Sequence, residues 1–309
     1  MVIYIFGHKN PDTDSVVSAI VYSNFINSNG VKSTAVCLNN INNETKFVLD
    51  SLNIPAPKVI SKLKDGEKII MMDHNEAGQS IENLDKLEIE EIIDHHKFNF
   101  KSNAPINIRA EKIGSTCSIV FKILKEKNYN LSKKEAKLLI SGIISDTLFF
   151  RSPTSTEEDK QIVEKLNSIA GIKNLEEYSL EMFHAKSNVE HLGAEDLIKM
   201  DYKEYEFHNK KYGIGVIETT SPKSILKRKK EIIDAIEKLK EKEKLEGVLL
   251  SVIDILNEHN STIVAGEHEA EILRAAFGGK EIEHNLYSLG PVISRKKQII
   301  PKLEEHFKA

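Results

Sequence analysis

The run Glu90-Glu91-Ile92-Ile93-Asp94-His95-His96-Lys97 sets an apolar pair directly before a carboxylate and two imidazoles. Ile92-Ile93 reads as the buried end of a strand. The polar triplet then falls at the strand's carboxyl edge, where open α/β sheets form their ligand crevices. Neighbouring side chains of an extended segment point to opposite sides, so one of His95 and His96 can ligate a metal while the other faces a substrate. On its own, a charged turn after a strand is the better reading of two adjacent histidines. Two further stretches of the chain change that balance.

Residues 2–6 form a short apolar strand that stops at Gly7. The loop His8-Lys9-Asn10-Pro11-Asp12-Thr13-Asp14-Ser15 follows, and an apolar helix then begins with Val16, Val17, Ala19, Ile20, Tyr22 and Phe25. This is the opening half of a βαβ unit. A polar residue before a helix is most often its N-cap. That explains one loop residue but not His8, Asp12 and Asp14 together. Lys68-Ile69-Ile70-Met71-Met72 is another buried strand, and it ends in Asp73-His74-Asn75-Glu76. If these strands are parallel, their acidic and imidazole clusters lie side by side in space. Independent surface turns would seldom repeat the pattern without a lysine.

Residues 32–38 and 106–110 read as further strands and residues 44–52 as a helix. Gly114-Ser115-Thr116 opens an apolar helix and is either an ordinary cap or a phosphate-binding turn. The strongly apolar helix over 132–147 runs into Asp146, a carboxylate costly to bury unless it is paired or coordinates a metal. A ligand is the favoured reading, with a salt-bridged core aspartate as competitor. Helices over 155–169 and 174–186 complete the first domain.

After a pause at 187–192 the style changes. Tyr202–Phe207 and residues 212–217 read as an antiparallel hairpin, with strands at 248–256 and 262–266. A charged helix over 222–244 carries an apolar stripe (Ile225, Ile232, Ile233, Ile236, Leu239), so its lysines read as a solvated face. Near the end, a strand at 290–293 leads into Ser294-Arg295-Lys296-Lys297-Gln298. Its cations are either a solubilising turn or an anion clamp. The fold class expected is α/β: an N-terminal domain with a mainly parallel sheet flanked by helices, plus a smaller C-terminal α/β domain with a mixed sheet.

Bulk composition fits a globular chain. The 309 residues are 29% charged and 40% apolar, with net charge −4 and two cysteines. No basic field draws the chain to nucleic acid or anionic lipid. No run reaches membrane-spanning length, the N-terminal apolar run is too short for a signal segment, and the cysteine count suits a reducing cytoplasm. A soluble cytoplasmic protein is expected.

His8, Asp12, Asp14, Asp73, His95 and Asp146 together offer two imidazoles and four carboxylates without a thiolate. That set suits a pair of octahedral divalent ions rather than structural zinc, with Mn²⁺ or Co²⁺ favoured over Mg²⁺ alone. Shared carboxylates would hold such ions about 3.5–4 Å apart, the spacing used to activate a water for attack on phosphorus. Arg295 and Lys296 would supply the electrophilic wall for phosphate charge.

The loop His8 to Ser15, Asp73-His74-Asn75-Glu76, Asp94-His95-His96 and Ser294-Arg295-Lys296-Lys297-Gln298 together resemble the family II inorganic pyrophosphatases, manganese-dependent members of the DHH phosphoesterase superfamily. The resemblance covers nearly the whole chain. The triplet alone indicates the superfamily, and the closing basic run narrows it to the pyrophosphatases. It implies a DHH catalytic domain over 1–186, a hinge at 187–192 and a DHHA2-like substrate-binding domain over 193–309. The implied reaction is hydrolysis of pyrophosphate to two orthophosphates by a metal-bridged hydroxide at a site between the domains. Two Mn²⁺ (or Co²⁺) per subunit are implied, one on His8, Asp12, Asp73 and Asp146, the other on Asp14, Asp73, His95 and Asp146. His96, Asp14 and Asp73 form the implied catalytic set, with His96 contacting phosphate and protonating the leaving group. Lys203, otherwise an ordinary strand lysine, joins Arg295 and Lys296 as a substrate ligand. Additional Mg²⁺ arriving with substrate, closure of the second domain and a homodimer through the first are implied as well. Competing expectations are a short-chain polyphosphatase or nucleotide phosphoesterase of the same superfamily, and a non-catalytic metal or phosphate sensor.

Overall fold

A computed structural model describes residues 2–102, 104–189 and 192–308 of the chain. It resolves into two compact units, residues 1–185 and 186–309. Glu190 and His191, in the expected hinge, lie outside the described residues.

The first unit runs β1 (Ile3–Phe6), α1 (Thr13–Ser28), β2 (Ser33–Cys37), α2 (Asn43–Ser51), β3 (Lys58–Val59), β4 (Lys68–Met72), β5 (Glu88–Asp94) and β6 (Asn107–Ala110). The helices α3 (Thr116–Glu126), α4 (Lys133–Thr147), α5 (Glu157–Ala170) and α6 (Leu175–Ser187) follow. The strands form one sheet in the order β3-β2-β1-β4-β5-β6, parallel throughout. The chain moves outward from β1 through β2 to β3, then returns to place β4 on the other side of β1. That reversal is the switch point of a doubly wound sheet, where a crevice opens at the strands' carboxyl ends. It also makes β1, β4 and β5 direct neighbours despite their separation in sequence.

Burial explains the central position of these strands. Ile69 and Met71 pack with Phe6, Val36 and Ile92 on one face, and Ile70 and Met72, pointing the opposite way, are equally buried. A parallel sheet needs such cover on both faces. Each fully buried Ile or Met contributes about 1.5–3 kcal/mol, so the apolar strand halves stay inside and their polar ends mark the rim.

The second unit comprises α7 (Ala194–Lys199), β7 (Tyr202–Phe207), β8 (Lys210–Thr219), α8 (Pro222–Leu226), α9 (Lys229–Glu243), β9 (Gly247–Asp254), β10 (His259–Ile263), α10 (Glu267–Phe277), β11 (Lys280–Glu283), β12 (Leu286–Gly290) and α11 (Ile300–Lys308). Its sheet runs β11-β12-β10-β9-β8-β7 and is mixed, with β8 and β9 parallel and the other pairs antiparallel. Ile198, Ile217, Ile232, Ile236, Val248 and Leu250 belong to its core. The β7–β8 hairpin turns at His208 and Asn209, both at positive φ (49° and 60°), as a tight two-residue turn demands.

Three expectations need correction. The helix over 222–244 is broken at Lys227 and Arg228, because Arg228 leaves helical geometry to send its guanidinium to Glu231 and the Leu192 carbonyl. The strand expected at 262–266 lies earlier, at His259–Ile263, and Gly266 instead begins α10. Residues 291–293 are not a strand. The strand there, β12, ends at Gly290.

Candidate metal centre and active site

The carboxyl ends of β1, β4 and β5 deliver His8, Asp73 and the Asp94-His95-His96 triplet to one rim of the sheet. Gly7 allows β1 to meet α1 closely, since a Cβ there would sit 2.4 Å from the Ser15 Cβ. Asp12 is the N-cap of α1 and divides its oxygens between two tasks. Oδ1 accepts from the Ser15 N–H at 2.9 Å, and Oδ2 faces the His8 Nε2 at 3.2 Å. Capping with Oδ1 therefore leaves Oδ2 turned toward the rim.

Asp14 is fully buried in the first turn of α1. Its Oδ1 accepts from the Ser115 hydroxyl at 2.6 Å and the Cys117 N–H at 3.0 Å, and its Oδ2 from the Thr116 N–H at 2.7 Å. The Gly114-Ser115-Thr116 turn does gather an anion at the start of α3, but the anion is the protein's own aspartate. Thr116 also donates its hydroxyl to Asp73 Oδ1 at 2.9 Å. Asp73 sits at φ +60°, an uncommon conformation for a non-glycine residue that is found where surrounding structure dictates it.

Three groups of ligand atoms come within 4.8 Å of one another: His8, Asp12 and Asp73; Asp14, Asp73, His95 and Asp146; and Asp73, His95 and His96. All six metal-ligand candidates from the sequence are thus brought together, and Asp73 belongs to every group. Asp146 joins the second group but not the one around His8. The His95 Nδ1 lies 3.0 Å from the Ile113 carbonyl, which can only accept, so Nδ1 carries the proton. A neutral ring then turns its Nε2 lone pair toward Asp73 at 3.4 Å and Asp146 at 3.2 Å.

Such convergence of lone pairs is repulsive unless a cation or a proton sits among them. Burial and the neighbouring Asp73 push the Asp14 carboxyl up to about 6, and burial with Asp14 drives Asp146 well above the carboxylate range. Burial would raise Asp73, but His8, His96 and His95 together more than offset it and the carboxyl moves down. Burial also works against a charged His8, yet Asp12 and Asp73 prevail and raise it to about 10. Among the described residues the buried Asp73 Oδ2 meets no hydrogen-bond donor in good geometry, the His8 Nε2 standing off at 3.4 Å. Imidazoles, carboxylates and a buried carboxylate oxygen without a close hydrogen bond fit hard divalent ions.

Asp94 orients rather than ligates. Its Oδ1 takes both the His96 N–H at 2.9 Å and the ring Nδ1 at 2.8 Å, while Oδ2 accepts from Asn75 at 2.6 Å. Burial would raise this carboxyl, but the His96 contacts hold it well below the usual range. Asn75 also accepts the Asn99 N–H and donates to the Lys97 carbonyl, fixing the loop after β5. His74 is a different case. Burial lowers it to about 4, and its ring bonds the Met72 carbonyl.

Sequence reasoning missed two buried carboxylates behind this rim. Glu44, in the first turn of α2, accepts on Oε2 from the hydroxyls of Thr13 (2.8 Å) and Ser145 (2.6 Å). Each donor adjoins ligand candidates, Thr13 between Asp12 and Asp14 and Ser145 beside Asp146. Asp159 accepts from the Gly114 N–H, the Ser118 hydroxyl and the Thr156 N–H, anchoring the turn that grips Asp14. Both look like helix-start acids in sequence, and the partners that tie them to the rim, Thr13 and Ser145 for Glu44 and Gly114 and Ser118 for Asp159, lie too far along the chain for any local pattern to reveal.

Lys203, Arg295 and Lys296 belong to the second unit. Lys203 lies on β7 opposite Ile214. Arg295 opens a π-helical turn (Arg295–Ile299) and ion-pairs with Asp201 at 2.5 Å. Burial opposes its charge, and Asp201 more than offsets that.

Residues 2–143 match the model of the DHH family, N-terminal domain, and residues 180–306 match that of the DHHA2 domain. A Deinococcus radiodurans protein named as a probable manganese-dependent inorganic pyrophosphatase is 42% identical over 308 residues, 98% of each chain. The manganese-dependent inorganic pyrophosphatase of Methanothrix thermoacetophila is 40% identical, covering 99% of this chain and 98% of its own. A Methanococcus jannaschii crystal structure, assigned to the family II inorganic pyrophosphatases, superposes with TM-score 0.88 at 37% identity over 99% of this chain and all of that one.

Proposed function

The chain belongs to the manganese-dependent, family II inorganic pyrophosphatases, and from that premise we propose that it hydrolyses pyrophosphate to two orthophosphates at the rim around Asp73. The observation that carries the reading is the sharing of Asp73 by all three ligand groups, which suits two ions held close together. We assign one to His8, Asp12, Asp73 and Asp146 and the other to Asp14, Asp73, His95 and Asp146, so that Asp73 and Asp146 would serve both. When bound, divalent manganese or cobalt supplies charge neutralisation and polarisation of a water for attack on phosphorus, and Mg²⁺ accompanies the substrate.

The remaining roles follow from the chain's own contacts. Asp14 has given three of its acceptor positions to Ser115, Thr116 and Cys117, so it is a one-point ligand held rigidly. His96 is gripped at Nδ1 by Asp94, so exchange of a proton with a leaving phosphate takes place at Nε2. Asp94 stabilises the protonated ring meanwhile. Arg295, Lys296 and Lys203 are the cations assigned to the phosphate oxygens, Arg295 as a planar fork and the lysines as point charges. A cytoplasmic homodimer joined through the first unit is part of the same proposal. No helix among the described residues is long and apolar enough to cross a membrane.

The test is phosphate release from pyrophosphate in a series of divalent metals, with tripolyphosphate and a dinucleotide as comparison substrates. Turnover is expected with Mn²⁺ or Co²⁺ and preferentially on pyrophosphate. Faster turnover of either comparison substrate would overturn the assignment.

A further inference from the structure

The Arg295 side chain is tied at both ends. At its root, Gln298 accepts the N–H groups of Ile293 and Ser294, both at 2.9 Å, and donates to the Pro291 carbonyl. Ser294 caps the turn by accepting the Lys297 N–H. A π-type turn is a rare arrangement and concentrates at functional sites. At the tip, the Arg295 Nη1 donates to the Asp201 carbonyl at 2.8 Å and toward the Ile214 carbonyl at 3.5 Å, while Nη2 donates to the Asp201 carboxylate at 2.5 Å. The Asp201 carbonyl also takes the Val216 N–H at 2.9 Å, so the residue gripping the arginine is stitched into the β7–β8 ladder.

A guanidinium has five N–H groups arranged as two edges. Asp201 takes the Nη1/Nη2 edge. The side-on edge of a guanidinium, its Nε–H with an Nη2–H, matches the spacing of two oxygens of one phosphoryl group. Asp201 precedes Lys203 by two residues, and Lys203 stands opposite Ile214, whose carbonyl Arg295 approaches. One aspartate thus registers Arg295, at the far end of the sequence, beside the strand that carries Lys203.

We propose that Asp201 is a positioning residue for pyrophosphate binding, acting by holding Arg295 so that its Nε/Nη2 edge meets the substrate. The inference rests on the reading of Arg295 as a phosphate ligand. Nothing local in the sequence marks Asp201 for this role, because its partner lies 94 positions away.

Steady-state turnover of pyrophosphate by the Mn²⁺-loaded full chain tests it, using Asp201→Ala, Asp201→Asn, Arg295→Ala and the double variant Asp201→Ala/Arg295→Ala. Arg295→Ala should raise KM about tenfold or more. Asp201→Ala should raise KM roughly three- to tenfold with kcat changed less than about twofold, a split that general loss of structure would not give. Asp201→Asn keeps an acceptor for Nη2, so it should recover part of the KM defect. In the double variant the Asp201 change should add nothing, since its object is gone. An Asp201→Ala KM at or below the parent value, beside a raised Arg295→Ala KM, overturns the role of Asp201 while sparing that of Arg295. Additive defects in the double variant overturn it too. An unchanged KM in Arg295→Ala overturns the substrate-ligand reading and this inference with it.

Discussion

Glu44 and Ser145 meet across 101 positions of sequence, the serine hydroxyl donating to Glu44 Oε2 at 2.6 Å in a fully buried setting. The same oxygen receives the Thr13 hydroxyl at 2.8 Å. Three helices are thereby joined at the residues flanking Asp12, Asp14 and Asp146, so Glu44 holds in place the segments that carry these candidate ligands. Glu44→Ala leaves two buried hydroxyls without this acceptor, each costing about 1–3 kcal/mol. The expected result is a lower melting temperature of the metal-free protein and at least about tenfold weaker Mn²⁺ binding. Glu44→Gln retains a carbonyl oxygen and should fall between. Calorimetry and a Mn²⁺ titration read both effects, and parental Mn²⁺ affinity in Glu44→Ala would remove Glu44 from the account.

Gly142 sets a second structural condition. A Cβ there would lie 2.4 Å from the Cys117 Sγ and 2.8 Å from Asp14 Oδ1, and shifting the Asp14 carboxylate would disturb its bonds to Ser115, Thr116 and Cys117. Gly142→Ala normally favours a helix by up to about 1 kcal/mol, but overpacking costs about 1–3 kcal/mol. Net destabilisation and weakened Mn²⁺ binding are expected. A thermal melt showing net stabilisation would contradict the tight contact.

These two residues show why some of the molecule was legible in sequence and some was not. The strands β1, β4 and β5 announce themselves through apolar runs that end abruptly in charge, because the stretch of a parallel strand buried on both faces must be apolar. Their polar ends therefore stood out, and the neighbouring order of the three sheet strands did the rest. Asp94 was visible, but its grip on His96 through one oxygen and on Asn75 through the other links two strand ends that no local pattern connects. Glu44, Asp159 and Asp201 act through partners far along the chain, which no periodicity encodes. The edge strands β3 and β11 are short and exposed, with no buried face to leave an alternating pattern.

Acid should expose the contribution of Glu135. It closes the capping box at the start of α4, accepting from the Ser132 N–H and hydroxyl, from Asn24 and from Tyr129. Burial works against its charge, but the Ser132 bonds lead a set that lowers it below the ordinary glutamate value. A depressed carboxylate adds stability that is present above its unfolded-state value and is lost as pH falls through the folded one. The loss therefore belongs below about pH 4.5. Denaturant titrations from pH 7 to 3 should show a shallower acid decline in Glu135→Gln, with about 1–2 kcal/mol less stability at neutral pH. Parallel declines in the two proteins would exclude this role.

Asp146→Asn separates what the rim does for folding from what it does for metal. In the metal-free protein, Asp146 brings a further carboxylate to Asp14 and Asp73, and burial with Asp14 resists its ionisation. An amide of the same shape removes that repulsion and can turn its NH2 toward the His95 Nε2 lone pair, 3.2 Å away in the parent. The metal-free variant should therefore be at least as stable as the parent near neutral pH, by up to about 1–2 kcal/mol. With Mn²⁺ the order should reverse. Metal at a hundredfold excess over its Kd stabilises the parent by about 2.7 kcal/mol per site, and the variant should lose most of that shift together with roughly a hundredfold or more of pyrophosphate turnover. Paired melts with and without Mn²⁺ distinguish the cases. A variant that unfolds early without metal would make Asp146 a structural residue of α4, and one that keeps the full Mn²⁺ shift would take it out of the metal centre.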